Sequence, residues 1–293
     1  MRAVTRWRAQ DKLVLVDLDE AIDLLEEGGF GYPFWYEGFV PANRRQSLEA
    51  DEKIDPAPIA QLKWGLRQVN GVIVSSAKLE NDWFAHSPVY HCPDYPELDR
   101  YRNTMHLPHE GIMIGLGNNN LSKNALYKSG ISTALERVCR QRPNVAILMS
   151  GLATDISSGL EISPEQKKYV PWRSTRSWLG CLAQIDIGLA PLAGEFDQRQ
   201  GWRSVLEYIL MKIPWAASEG FPYHDLSSYG WLVKDDPDAW ESVILNMVDH
   251  LDDYRNEAAG EPYLFGLSQD IDDNINQVLS IYQSALNDMA AGV

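Results

Sequence analysis

Cysteine is scarce: the 293-residue chain has three, Cys92, Cys139 and Cys181. They lie far apart, cannot all pair, and none stands in a C-x-x-C spacing, which excludes a disulfide framework and points to the cytoplasm. Each is expected to be a small buried apolar residue. Long apolar runs are missing as well. None approaches the ~18–20 residues of a membrane span, and no charged-then-apolar leader opens the chain. No transmembrane segment is therefore expected, while peripheral membrane contact stays open. Positive charge is in deficit, with 26 Lys and Arg against 41 Asp and Glu and a net charge of −15. Gripping nucleic acid needs the opposite balance, because Lys and Arg must displace phosphate counterions. Nucleic acid is thus not an expected partner. Histidine is sparse, and His86, His91, His106 and His109 fit no ligand spacing; they are expected on loops or the surface, with no metal. The acids gathered between Asp235 and Asp273 read as a solvated face. Neither repeats nor low-complexity tracts occur.

What is present is an ordinary globular composition, 45% hydrophobic and 23% charged. The length suits two α/β domains. Short apolar runs at 13–17, 72–75 and 89–92 read as buried strands. A helix with apolar positions Ile59, Leu62, Leu66 and Val69 spans 56–69 and stops at Asn70-Gly71. Ser76 can cap a further helix carrying Leu79, Trp83 and Phe84. Residues 93–109, with three prolines, read as a linker.

Beyond it, strands are expected at 111–116, 145–149, 169–171, 186–190, 215–217 and 230–233. Helices are expected at 122–140, 175–184 and 202–211, one opened by Pro237 after Asp235 and Asp236, and a last one at 270–289. This alternation predicts a parallel sheet covered on both faces. The chain accordingly divides into a partial N-terminal domain with linker at residues 1–107, a ligand-binding domain at 108–268, and a C-terminal helix at 269–293 that could pack back on the first domain. Three strands are few for the first domain.

Ligands of such sheets bind at the carboxyl ends of the strands. Four loops there carry small, polar or basic residues. Gly115-Leu116-Gly117-Asn118-Asn119-Asn120 is a glycine-bearing turn entering a helix; its amides could hold a diphosphate, with Lys123 supplying charge. Arg173, after Val170-Pro171, could grip a phosphate bidentately or be a plain surface arginine. The run Gln198-Arg199-Gln200-Gly201-Trp202-Arg203-Ser204 enters a helix whose Glu207 could accept from ribose hydroxyls. Ser218-Glu219-Gly220-Phe221-Pro222 completes the set.

Asp186-Ile-Gly-Leu-Ala-Pro-Leu, Arg203-Ser-Val-Leu-Glu207-Tyr, Ile213-Pro-Trp-Ala-Ala-Ser218, Gly230-Trp-Leu-Val and Asp236-Pro-Asp-Ala-Trp240, in this order, resemble the donor domain of GT-B glycosyltransferases, above all the large retaining family. The resemblance covers about residues 111–255. It implies an α/β fold of two Rossmann-like domains, the N-terminal one incomplete, and a nucleotide-sugar as donor substrate with no further cofactor. It implies that Glu207 binds the ribose, that Lys123, Arg203 and Ser204 with the Gly117 and Asn118 loop face the diphosphate, and that Val170 and Pro171 flank the base. The acceptor would lie near Asp17 and Asp19. Three positions depart from the family pattern. Arg199 stands where a second glutamate precedes Glu207, Asn118 replaces an arginine, and the first domain lacks opening strands and a glycine-rich loop.

Two rival readings remain. A degenerate relative would bind the nucleotide-sugar without turnover, as the Arg199 replacement suggests. Alternatively, Val14-Leu15-Val16-Asp17-Leu18-Asp19 matches the nucleophile strand of haloacid-dehalogenase-like phosphatases, with Asp17 and Asp19 beside magnesium. Ala21 stands there where a hydroxyl is expected.

Overall fold

The computed structural model describes residues 2–27, 31–40, 53–116, 123–151, 159–171 and 175–292, with the backbone alone at 2, 123, 124, 151, 171 and 175–177. The chain divides into two compact units. One comprises Met1–Asp94, Arg199–Gly201 and Ile275–Val293; the other comprises Tyr95–Gln198 and Trp202–Asn274.

The first unit is built on a parallel sheet in the order β1 (Leu15–Leu18), β2 (Gly71–Val74), β3 (Val89–His91). The middle strand is buried throughout, so its run of Val and Ile on both faces is the pattern that a covered parallel strand requires. Asn70 fixes the register where β2 begins: its amide donates to the Val14 carbonyl, and its side-chain oxygen accepts from the Val14 amide at 3.0 Å. Ser76 takes an extended backbone and accepts from the Leu79 amide at 3.3 Å, starting the helix Ala77–Trp83. The Tyr90 hydroxyl donates to Asp288 of the last helix, Ile271–Ala291, at 2.9 Å.

The second unit contains a six-stranded parallel sheet: β4 (Ile112–Leu116), β5 (Val145–Gly151), β6 (Lys167–Pro171), β7 (Ile187–Ala190), β8 (Trp215–Ser218) and β9 (Trp231–Val233). Its spatial order is β6-β5-β4-β7-β8-β9, the doubly wound order in which the chain reverses direction across the sheet between β4 and β7. Side-chain alternation splits the core into two layers. Ile114, Leu116, Val145, Ile147, Ile187 and Leu189 point to one face, under the helices Lys123–Lys128, Ile131–Gln141 and Pro237–Asp249. Met113, Leu148, Ala190, Trp215 and Ala217 point to the other, under Thr175–Leu182 and Arg203–Leu210. Trp240, Ile244 and Met247 of Pro237–Asp249 are fully buried, each stabilising by about 1.5–3 kcal/mol. Two glycines are steric necessities here. A Cβ on Gly188 would stand 2.5 Å from the Tyr208 ring, and one on Gly115 would stand 2.3 Å from Ile185.

The nine strands among the described residues fall within two residues of their expected spans. The helix expected at 122–140 is two helices, broken at Ser129–Gly130. Gly130 sits at φ +81°, and a Cβ there would meet Pro237 at 2.7 Å, so the turn leaves room for the start of a neighbouring helix. Asp236 caps that neighbour by accepting from Ala239 at 2.8 Å. The amphipathic helix opened by Pro237 ends at Asp249; Leu251 belongs to a further helix, Leu251–Ala258, followed by Glu261–Leu267. The expected linker is not wholly extended either. It forms the short helix Asp99–Arg102 and buries Leu98 and Tyr101 in the second unit. Cys139 and Cys181 are buried as expected, whereas Cys92 is half-buried. Among the described residues, no helix is long and apolar enough to cross a membrane.

Candidate functional site

The strand order reverses between β4 and β7, and in doubly wound sheets ligands bind at the carboxyl ends of the strands flanking such a reversal. From β4 the chain runs into Gly117 and Asn118, which lie outside the described residues, as does Arg173. From β7 it runs into Pro191-Leu192-Ala193-Gly194, a loop fixed by side chains rather than by helix or sheet. Asp197 accepts from the Ala193 amide at 2.7 Å. The Ser218 hydroxyl, fully buried at the end of β8, accepts from the Leu192 amide at 3.0 Å and donates to Asp235 at 2.7 Å. Gln198 accepts from the Phe221 amide at 2.9 Å. These bonds tie the loops after β7, β8 and β9 together. Gly220 lets two of them touch, since a Cβ there would meet Leu192 at 2.5 Å.

From this braced rim starts the helix Arg203–Leu210, which carries Arg203, Ser204 and Glu207. Glu207 is 7% exposed. An ionised carboxylate so deep must be hydrogen-bonded, and both its oxygens are: the Tyr101 hydroxyl donates to Oε1 at 2.9 Å and the Trp178 indole N–H donates to Oε2 at 2.5 Å. Burial and the Glu207 charge push the Tyr101 phenol well above its ordinary pKa, so it stays a donor. Arg203 stands one turn before, its Nε 3.9 Å from Oε1, with a side chain 59% exposed. The Ser204 hydroxyl lies 3.5 Å from that of Tyr223.

The structure thus brings Arg203, Ser204 and Glu207 together on one helix. Lys123 opens the helix Lys123–Lys128 and Pro171 closes β6, both with backbone alone described; Val170 is partly buried against the core layer that contains Leu206. Tyr101 and Trp178, which orient Glu207, were not among the expected residues. A tyrosine in a proline-rich polar segment, one of two there, is the trace of this role in the sequence. Arg199 is engaged by Asp82, its Nε 3.2 Å from the carboxylate, and its carbonyl accepts from the Ser76 hydroxyl.

Elsewhere, His106 and His109 lie on a loop as expected, but they are not scattered: both meet Asp186 in a cleft at the opposite end of the sheet. Asp17 and Asp19 lie exposed at the end of β1. Partial burial, then the neighbouring Asp19, raises the Asp17 pKa. β1 is an edge strand of its sheet among the described residues, and nothing in the architecture favours the phosphatase reading.

No protein-family model matches the sequence, and no curated protein matches it. Solved structures do. HepE from Anabaena in complex with UDP and glucose superposes with a TM-score of 0.66 at 12% identity, covering 96% of this chain and 74% of that one. TarM gives 0.59 at 13%, with 78% of this chain and 46% of that one. A glycosyltransferase from Rickettsia africae gives 0.58 at 14%, with 74% and 63%. The match therefore spans less than two thirds of the last two proteins. Identities this low speak for architecture alone. The chain has the fold of the GT-B glycosyltransferases, α/β with Rossmann-like units.

Proposed function

We propose that the chain is a glycosyltransferase that takes its sugar from a nucleoside-diphosphate donor bound at the carboxyl ends of β4 and β7. The observation that carries this reading is the buried Glu207 carboxylate on the helix that follows β7. It is aimed by Tyr101 and Trp178, and a carboxylate so held is the kind of group that accepts from ribose hydroxyls. The exposed Arg203 one turn earlier suits the diphosphate. Lys123, Arg173, Ser204 and the backbone of Gly117 and Asn118 complete the proposed donor set, and Val170 and Pro171 flank the base. Departure of the diphosphate builds negative charge, which these fixed donors stabilise, so the chemistry calls for no metal at this site. Retention at the anomeric carbon follows the family that the sequence resembles, and the acceptor is placed near Asp17 and Asp19. HepE, of similar fold, has been solved with UDP and with UDP-glucose, so UDP is the first ligand to test.

Calorimetric titration of the full chain with UDP tests the reading. Saturable binding is expected, and Glu207→Gln should weaken it about 10–100-fold, the equivalent of one charge-assisted hydrogen bond. Absence of binding, or an unchanged affinity in a folded Glu207→Gln protein, would overturn it. A second reading, a donor-binding protein without turnover, is favoured by Arg199, which stands where a carboxylate is expected and is held by Asp82. UDP binding without UDP-sugar hydrolysis or transfer would select it.

A further inference from the structure

We propose that His106, His109 and Asp186 form a binding site for a divalent metal ion of the imidazole-preferring class that includes zinc, at the end of the sheet opposite the proposed donor site. Asp186 immediately precedes β7, and His106 and His109 lie on the segment entering β4, so the three belong to the amino-terminal edge of the sheet. They line a cleft of about 670 Å³ with His250 and Arg255. The frame is rigid. The Asp186 carboxylate accepts from the Met113 amide at 2.7 Å, the Asp186 amide donates to the Met113 carbonyl, and the Leu107 amide donates to the Ala183 carbonyl.

The positions of the ligand atoms carry the argument. His106 Nε2 lies 3.2 Å from Asp186 Oδ1, and His109 Nε2 lies 3.3 Å from Oδ2. All three ligand atoms lie within 4.8 Å of one another. Zinc bonds of about 2.0 Å in tetrahedral array separate neighbouring ligand atoms by about 3.3 Å. His109 Nε2 is buried and makes no hydrogen bond, despite its nearness to the carboxylate. Two donor atoms standing side by side, rather than end to end, is the arrangement of ligands sharing an ion. The other ring nitrogen, Nδ1, faces the Glu110 carbonyl at 3.4 Å. A carbonyl can only accept, which sets Nδ1 as the protonated nitrogen and leaves the Nε2 lone pair for a metal; such outer partners commonly orient histidine ligands. Arg255 approaches Asp186 Oδ1 but also lies 3.5 Å from Asp252, so it has a second carboxylate to turn to when a cation arrives.

The chelator-stripped full chain, titrated with Co²⁺ and followed by visible absorption and calorimetry, tests the site. One ion per chain is expected, with the d–d bands of a four- or five-coordinate nitrogen and oxygen site. Zn²⁺ should displace Co²⁺ and raise the melting temperature. His106→Gln and His109→Gln should each weaken binding about 10–100-fold or more, since loss of an outer partner alone costs that much. His224→Gln, whose side chain is exposed elsewhere, should leave it unchanged, and Arg255→Gln should tighten it by removing a competing cation. Circular dichroism checks that each variant folds. Asp186 is left intact because it also joins β4 to β7. Absence of saturable binding, binding indifferent to both histidine substitutions, or weakening by Arg255→Gln would overturn the proposal. UDP binding at the other end of the sheet is read separately, so either result stands without the other.

Discussion

The Tyr101 hydroxyl donates to Glu207 Oε1 across 2.9 Å, joining the segment before β4 to the helix that follows β7. Both groups are buried, so the bond forms where water cannot replace either partner. A stretch of chain that looks like a connector thereby orients the carboxylate on which the ligand reading turns.

Tyr101→Phe removes only the hydroxyl and its hydrogen bond to the carboxylate. We expect a loss of about 1.5–3 kcal/mol, the range for hydrogen bonds to charged groups. Urea denaturation should show a lower midpoint with an unchanged slope. A midpoint equal to that of the parent would mean that Glu207 finds another donor.

Glycines divide by what surrounds them. Gly188→Ala drives a methyl group into the Tyr208 ring and should cost about 1–3 kcal/mol or more. Gly180 lies inside the helix Thr175–Leu182 with open space around it. Gly180→Ala should stabilise by about 0.5–1 kcal/mol through the unfolded chain and helix propensity. Thermal melts of the two variants should move in opposite directions.

Ser218→Ala leaves the Leu192 amide without its acceptor and Asp235 without a donor. A loss of about 1–3 kcal/mol is expected. UDP affinity should fall too, because the loop after β7 loses its brace. Stability that drops while UDP binding holds would separate that loop from the ligand.

Asp17 should reveal itself through pH. Its folded pKa is raised, first by burial and then by Asp19. The folded state therefore binds more protons than the unfolded state between the ordinary carboxylate value and the folded one, and stability falls as pH rises through that window. Asp17→Asn cannot ionise. It should surpass the parent in denaturation midpoint at pH 7 and lose that advantage at a pH below the ordinary aspartate range. An equal difference at both pH values would show that the charge of Asp17 is not what costs stability.

How much of this was legible in the sequence follows from the range of each signal. Parallel strands announce themselves by local apolar runs: 145–149 and 186–190 needed no partner to be found. Ser76 was readable as a cap because capping is settled within three residues. The break at Gly130 was not readable, since its cause is Pro237, more than a hundred positions later. Leu251–Ala258 lacks an apolar stripe strong enough to separate it from the preceding helix. The same rule governs the site. Glu207 stood out within a local pattern, whereas Tyr101 and Trp178 become its partners only through folding. His106 and His109 gain meaning only beside Asp186, which arrives with another strand.

Sheet order also bears on biosynthesis. A nascent polypeptide that has left the ribosome as far as Pro171 can assemble β6-β5-β4 alone, with β4 as a bare, strongly apolar border until β7 follows it out of the exit tunnel. Such an unpaired border invites association with other chains. The middle of this sheet is therefore both its best-protected place at maturity and its most vulnerable one during translation, when a chaperone would have most to cover.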